Sequence, residues 1–121
     1  MGAEMTRSVD VGFLAGWQED PFYYDWDDPE EYCHSIEEAA EELQLPADLV
    51  TEITAWDAEY QATYDPTGSR GLESGFPSPE AEEAWRERGK ALAERIKRES
   101  PVVVSVDYRA DGVIPPHTCV F

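Results

Sequence analysis

Basic residues are scarce in this chain: nine Lys and Arg stand against 27 Asp and Glu, a formal net charge of −18. A surface so short of cations does not grip a run of phosphates, so the sequence argues against direct nucleic-acid binding. Cysteine is limited to Cys33 and Cys119. Two cysteines make no disulfide framework, and free thiols in a cytoplasmic protein are expected. There is no apolar run long enough to span a bilayer, so no membrane contact is expected. The first seven residues, Met1 to Arg7, show no apolar stretch after a basic start, so no secretory signal is expected either. The eight glycines are scattered and form no phosphate-cradling loop. No Ser, Cys or Thr sits in a nucleophile motif, and no convergent set of acid, base and nucleophile can be assembled. Carboxylate pairs are too abundant to single out any one for glycosidic chemistry. The sequence reads as non-enzymatic, with no cofactor.

What is present suffices for a fold. The 121 residues, 41% of them hydrophobic, favour one domain over 1–121 with a real core. The charge is lopsided. Residues 1–65 hold 18 acids and the single base Arg7, whereas residues 66–121 hold 9 acids and 8 bases. One-signed surfaces either keep a protein soluble or steer an oppositely charged partner.

Alternation over 8–15 places Val9, Val11, Phe13 and Ala15 on one face of a half-buried strand. Residues 21–24 offer a short edge strand, and the remainder of 17–34 reads as an ordered loop broken by Pro21 and Pro29. Ser35 with Glu38 forms a capping box opening a helix over 35–44, with Ile36, Ala39, Ala40 and Leu43 as its apolar stripe. A second helix over 47–64 carries Leu49, Ile53, Trp56, Tyr60 and Tyr64 on one face. Ser78 as N-cap and Pro79 at the first helical position start a third helix over 79–99, striped by Trp85, Gly89, Leu92 and Ile96. A closing strand over 102–109 puts Val102, Val104, Val106 and Tyr108 on one face, and Val103, Ser105, Asp107 and Arg109 on the other. Val113-Ile114 is expected to pair briefly, and the apolar tail to dock. The expected fold is a two-layer α+β domain. Its small, mostly antiparallel sheet has the first and last strands as neighbours, with three helices over one face.

The richest functional feature is the acidic and aromatic stretch before the first helix. Asp20, Tyr23, Tyr24, Asp25, Trp26, Asp27, Asp28, Glu30 and Glu31, extended by Glu38 and Glu42 on the helix, form the candidate partner-binding face. Rigid aromatics supply binding energy at protein interfaces, and charges supply steering. The fitting partner is a basic protein: a toxin, a nuclease or a nucleic-acid-binding protein. A DNA-mimic antagonist is the related alternative, with carboxylates standing in for phosphates. A small enzyme or ligand-binding domain, with a pocket between sheet and helices near Trp56 and Trp85, is the other. No metal site is expected. Cys33, His34, His117 and Cys119 have zinc-ligand chemistry, but adjacent Cys33-His34 is poor chelate spacing. Counting from Asp25, the positions an EF-hand needs for Gly and Glu hold Glu30 and Ile36.

Four segments carry a resemblance: Ala55-Trp56-Asp57-Ala58-Glu59-Tyr60, Ser74-Gly75-Phe76-Pro77, Gly89-Lys90-Ala91-Leu92-Ala93-Glu94-Arg95 and Val106-Asp107-Tyr108-Arg109. Over about 47–109 the chain resembles small bacterial proteins, some of them immunity proteins of toxin systems. The resemblance implies a non-enzymatic toxin inhibitor. It transfers no catalytic residue, and the acidic stretch lies outside it.

Overall fold

The computed structural model describes residues 8–24, 30, 32–63, 76 and 78–121. Seven elements follow in chain order. They are β1 (Val9–Leu14), β2 (Phe22–Tyr23), β3 (Cys33–His34), α1 (Ile36–Glu42), α2 (Ala47–Gln61), α3 (Pro79–Glu99) and β4 (Val103–Ala110). The strands form one sheet in the order β3-β2-β1-β4. β2 pairs antiparallel with both β1 and β3, while β1 and β4, the first and last strands, pair in parallel. The sheet is therefore mixed, with its most extended pairing parallel. A parallel pair needs a long crossover, which the hairpin and the three helices provide.

Local chemistry sets the helix ends. The Ser35 hydroxyl accepts from the Glu38 amide at 3.1 Å, and the Ser78 hydroxyl accepts from the Ala81 amide at 3.1 Å. α1 stops earlier than 44. Gln44 adopts a left-handed φ of 57°, and the Leu45 amide reaches back to the Ala40 carbonyl at 3.0 Å. This is a Schellman ending made without glycine. α2 ends at Gln61 rather than at 64, and Tyr64 lies outside the described residues. α3 carries Lys97 and Arg98 in its last turn, where the helix dipole favours cations.

The core lies between the sheet and the helices. Val9, Val11, Phe13 and Ala15 of the β1 segment all face it. β4 departs from simple alternation. Val9 pairs with Val103 but Asp10 pairs with Ser105, so Val104 has no partner across the ladder. This bulge shifts the phase of the strand by one residue. Val103, Val106, Tyr108 and Ala110 are buried, and Val104 is 48% exposed, which corrects the two-face division read from the sequence. Beyond β4, residues 111–114 form a turn and do not pair as a strand. The tail docks instead: Val106 and Phe121 exchange amide-to-carbonyl bonds of 3.1 and 2.9 Å, and the Tyr108 amide donates to the Cys119 carbonyl at 2.8 Å. It thereby covers the β4 edge, which would otherwise offer unpaired backbone groups.

Between the layers, Trp56, Trp85, Phe13 and Tyr108 are all 1% exposed or less. The Trp56 ring lies 4.8 Å from that of Phe13 and 4.5 Å from that of Trp85. These rings fill the space where a ligand pocket was considered. The cleft near Trp56 lies outside it, between α2 and α3. It is a groove of about 230 Å³ lined by Glu52, Trp56, Glu59, Arg88, Leu92 and Arg95. No helix among the described residues is long and apolar enough to cross a membrane.

Candidate functional site

The β2–β3 hairpin sorts the candidate residues onto two sides, because successive strand side chains point to opposite faces. Tyr23, opposite Cys33 in the register, is half-buried. Its ring lies 6.1 Å from that of Tyr32, which is 44% exposed. The Cys33 thiol donates to the Asp20 carbonyl at 3.6 Å, which ties the exposed Asp20 to the same side. Arg109 joins Gly12, Leu14, Tyr23 and Tyr32 around a shallow depression of about 210 Å³ there.

Around Tyr23 and Cys33 the surroundings disfavour negative charge. Burial, and then the neighbouring Cys33, push the Tyr23 hydroxyl up. Burial likewise pushes the Cys33 thiol above its ordinary value, with Asp20 and Glu19 adding and a hydrogen bond from Tyr23 opposing. A thiol held in its neutral form is the reverse of an activated nucleophile. On α2, Asp57 is raised by burial and by the charge of Asp20, while a hydrogen bond from Gln61 acts against the shift. Asp20 and Asp57 thus belong to one negative neighbourhood, which sequence separation hid.

Tyr24 points to the helix side and is fully buried. Its ring is therefore a core contact and not an exposed anchor. It stacks on His34 at 3.7 Å and 8°, and its hydroxyl donates to Glu42 at 2.7 Å. His34 is buried too, with Nδ1 3.0 Å from Glu38 Oε1 and Nε2 3.3 Å from the Tyr24 carbonyl. Of the candidate residues, Tyr24, Glu38 and Glu42 therefore converge around His34. Asp20 and Tyr23 lie on the other side of the hairpin, and Glu30 is exposed near its tip. Asp25, Trp26, Asp27, Asp28 and Glu31 lie outside the described residues. The sequence reading passed over Tyr32, Asp57 and the convergence on His34. The i, i+4, i+8 spacing of His34, Glu38 and Glu42 was the signal available for the last.

The four residues weighed as a zinc set do not converge. β3, with Cys33 and His34, is one edge of the sheet, and Cys119 and His117 belong to the tail beyond β4, the other edge. Three strand spacings of about 4.8 Å separate those edges. His117 is held by its backbone amide, which donates to both Asp107 carboxylate oxygens at 3.2 and 3.1 Å.

The helices contribute ion pairs away from this face. Arg95 of α3 binds Asp48 and Glu52 of α2 at 2.9 and 2.8 Å, and Glu99 at 2.7 Å. Arg88 pairs with Glu59. Arg88 and Arg95 of α3 are thus placed against carboxylates of α2.

A family model described as Serratia CdiI immunity protein-like matches residues 10–111. The span runs from β1 through β4 and includes the acidic stretch, so it is wider than the 47–109 resemblance read from the sequence. No curated protein matches the chain.

Proposed function

The chain belongs to the Serratia CdiI immunity protein-like family, and from that premise we propose that it binds and neutralises a basic toxin protein through the acidic hairpin face. The family match carries the immunity reading. The face is supported by its chemistry: exposed Asp20 and Glu30, half-buried Tyr23 and exposed Tyr32 surround the β3 edge of the sheet, and Asp25, Trp26, Asp27, Asp28 and Glu31 lie between them in sequence. Glu38 and Glu42 add negative charge on α1, on the opposite side of the hairpin from Asp20 and Tyr23. Aromatics beside carboxylates give a cationic side chain both a ring face and a counter-charge. Action is by occlusion, with no chemistry on the toxin, and no nucleic acid enters the complex through this protein.

The test titrates candidate toxin domains against the wild type and against a D20N/D25N/D27N/D28N variant in a salt series. The wild type is expected to associate quickly at low salt and more slowly as salt rises. The variant is expected to associate at least about tenfold more slowly, with an unchanged circular dichroism spectrum. Association of the correctly folded variant at the wild-type rate would place the interface elsewhere.

A further inference from the structure

His34, Glu38 and Glu42 present one imidazole and two carboxylates whose donor atoms all lie within 4.8 Å of one another. We infer that these three residues form a binding site for one divalent first-row transition cation of the zinc type. The toxin-binding reading does not require this site.

The argument starts from the buried ring. His34 Nε2 faces the Tyr24 carbonyl at 3.3 Å. A carbonyl only accepts, so Nε2 carries a proton and donates it. Nδ1 faces a Glu38 carboxylate oxygen at 3.0 Å, and an ionised carboxylate also only accepts. A proton or a metal ion therefore has to lie between the two. Ligating histidines commonly donate their far N–H to a backbone carbonyl, which fixes the tautomer and aims the other nitrogen at the metal. The Tyr24–His34 bond has that form.

The surroundings fit the same role. The His34 side chain is 4% exposed while that of Glu38 is 45% exposed, so the histidine is fixed and one carboxylate is free to adjust at the solvent side. The Tyr24 hydroxyl orients Glu42 from behind, a second outer contact outside the three donors. Tetrahedral donors around zinc stand about 3.4 Å apart, given bonds of about 2.1 Å. Nδ1 and the Glu38 oxygen stand 3.0 Å apart, so a small outward shift of the exposed Glu38 carboxylate reaches that separation, and Glu42 offers a donor atom within 4.8 Å of both. The three donors among the described residues leave a fourth tetrahedral position to be filled. The mixed nitrogen and oxygen set favours zinc and its neighbours over calcium or magnesium, which take oxygen. Bound there, the ion would tie the β2–β3 hairpin to α1.

The experiment adds zinc chloride alone to the purified full chain in competition with a chromophoric chelator. It compares the wild type with the Glu38→Gln, Glu42→Gln and Tyr24→Phe variants. The wild type is expected to retain one equivalent. Each carboxamide variant should bind at least about tenfold more weakly, and Tyr24→Phe should also weaken binding because Glu42 loses its orienting partner. Zinc should raise the thermal midpoint of the wild type and not that of the E38Q/E42Q double variant. No uptake by the wild type would overturn the assignment and leave a proton shared between Nδ1 and Glu38. Equal uptake by the double variant would overturn it too, by showing that zinc binds elsewhere among the acids.

Discussion

Trp56 and Trp85 cap each other: the Trp56 indole donates to the Trp85 carbonyl at 3.0 Å, the Trp85 indole donates to the Trp56 carbonyl at 2.9 Å, and the rings stack 4° from parallel. Both carbonyls lie in helix interiors, so each indole N–H finds a partner without leaving the core. This reciprocal pair joins α2 to α3 at the point where both meet the sheet. Trp56→Phe removes one donor and part of the stacked area. It is expected to cost about 2–4 kcal/mol, read as a lower urea midpoint with an unchanged slope.

Gly89 is the position where α3 passes closest to this pair. A Cβ there would meet the Tyr108 hydroxyl, which donates to the Arg86 carbonyl at 2.7 Å, and would lie 2.6 Å from the Trp56 ring. An alanine inside a helix ordinarily gains about 1 kcal/mol over glycine. Here overpacking outweighs propensity, and Gly89→Ala is expected to destabilise by about 1–3 kcal/mol. The exposed neighbour Lys90→Ala should be close to neutral in the same denaturation series.

The pH dependence has two opposing parts. Asp57 is held above its ordinary value, so the folded state keeps its proton more tightly than the unfolded chain does. Its cost to stability grows as pH rises through the ordinary carboxylate range and is complete above the raised value. Asp48 and Glu99 are held low, first by hydrogen bonds from Arg95. Their contribution is present above the ordinary carboxylate range and is lost as pH falls through their lowered values. Asp57→Asn keeps an acceptor for Gln61 and is expected to raise the urea midpoint at pH 7, with the gain vanishing in acid. Arg95→Gln should lower the neutral midpoint and flatten the acid limb of the stability profile. Urea curves collected across the acid range check both.

Elements announced by local chemistry were legible in the sequence. Ser35 with Glu38, and Ser78 with Pro79, mark helix starts through contacts within one turn, and α3 has the bounds its sequence implies. The β1 alternation predicts the residues that face the core. Elements that depend on a distant partner were not. β3 is two residues long, too short for a period, and exists only because β2 lies beside it. The Val104 bulge is a mismatch between β4 and β1, so no pattern within β4 alone reveals it. Asp20 and Asp57 share a neighbourhood across a gap in sequence that composition does not bridge.

The sequence by itself determined the charge asymmetry, the helix caps, the apolar stripes of α2 and α3, and the α+β class, because each arises from residues within a turn or two of one another. The tertiary structure alone decided which of the adjacent aromatics Tyr23 and Tyr24 meets solvent, and that Tyr24, His34, Glu38 and Glu42 meet while Cys33 and Cys119 are kept on opposite edges. Strand pairing sets those outcomes: one residue of register turns a side chain to the other face of the sheet, and strand order fixes which edges can never touch.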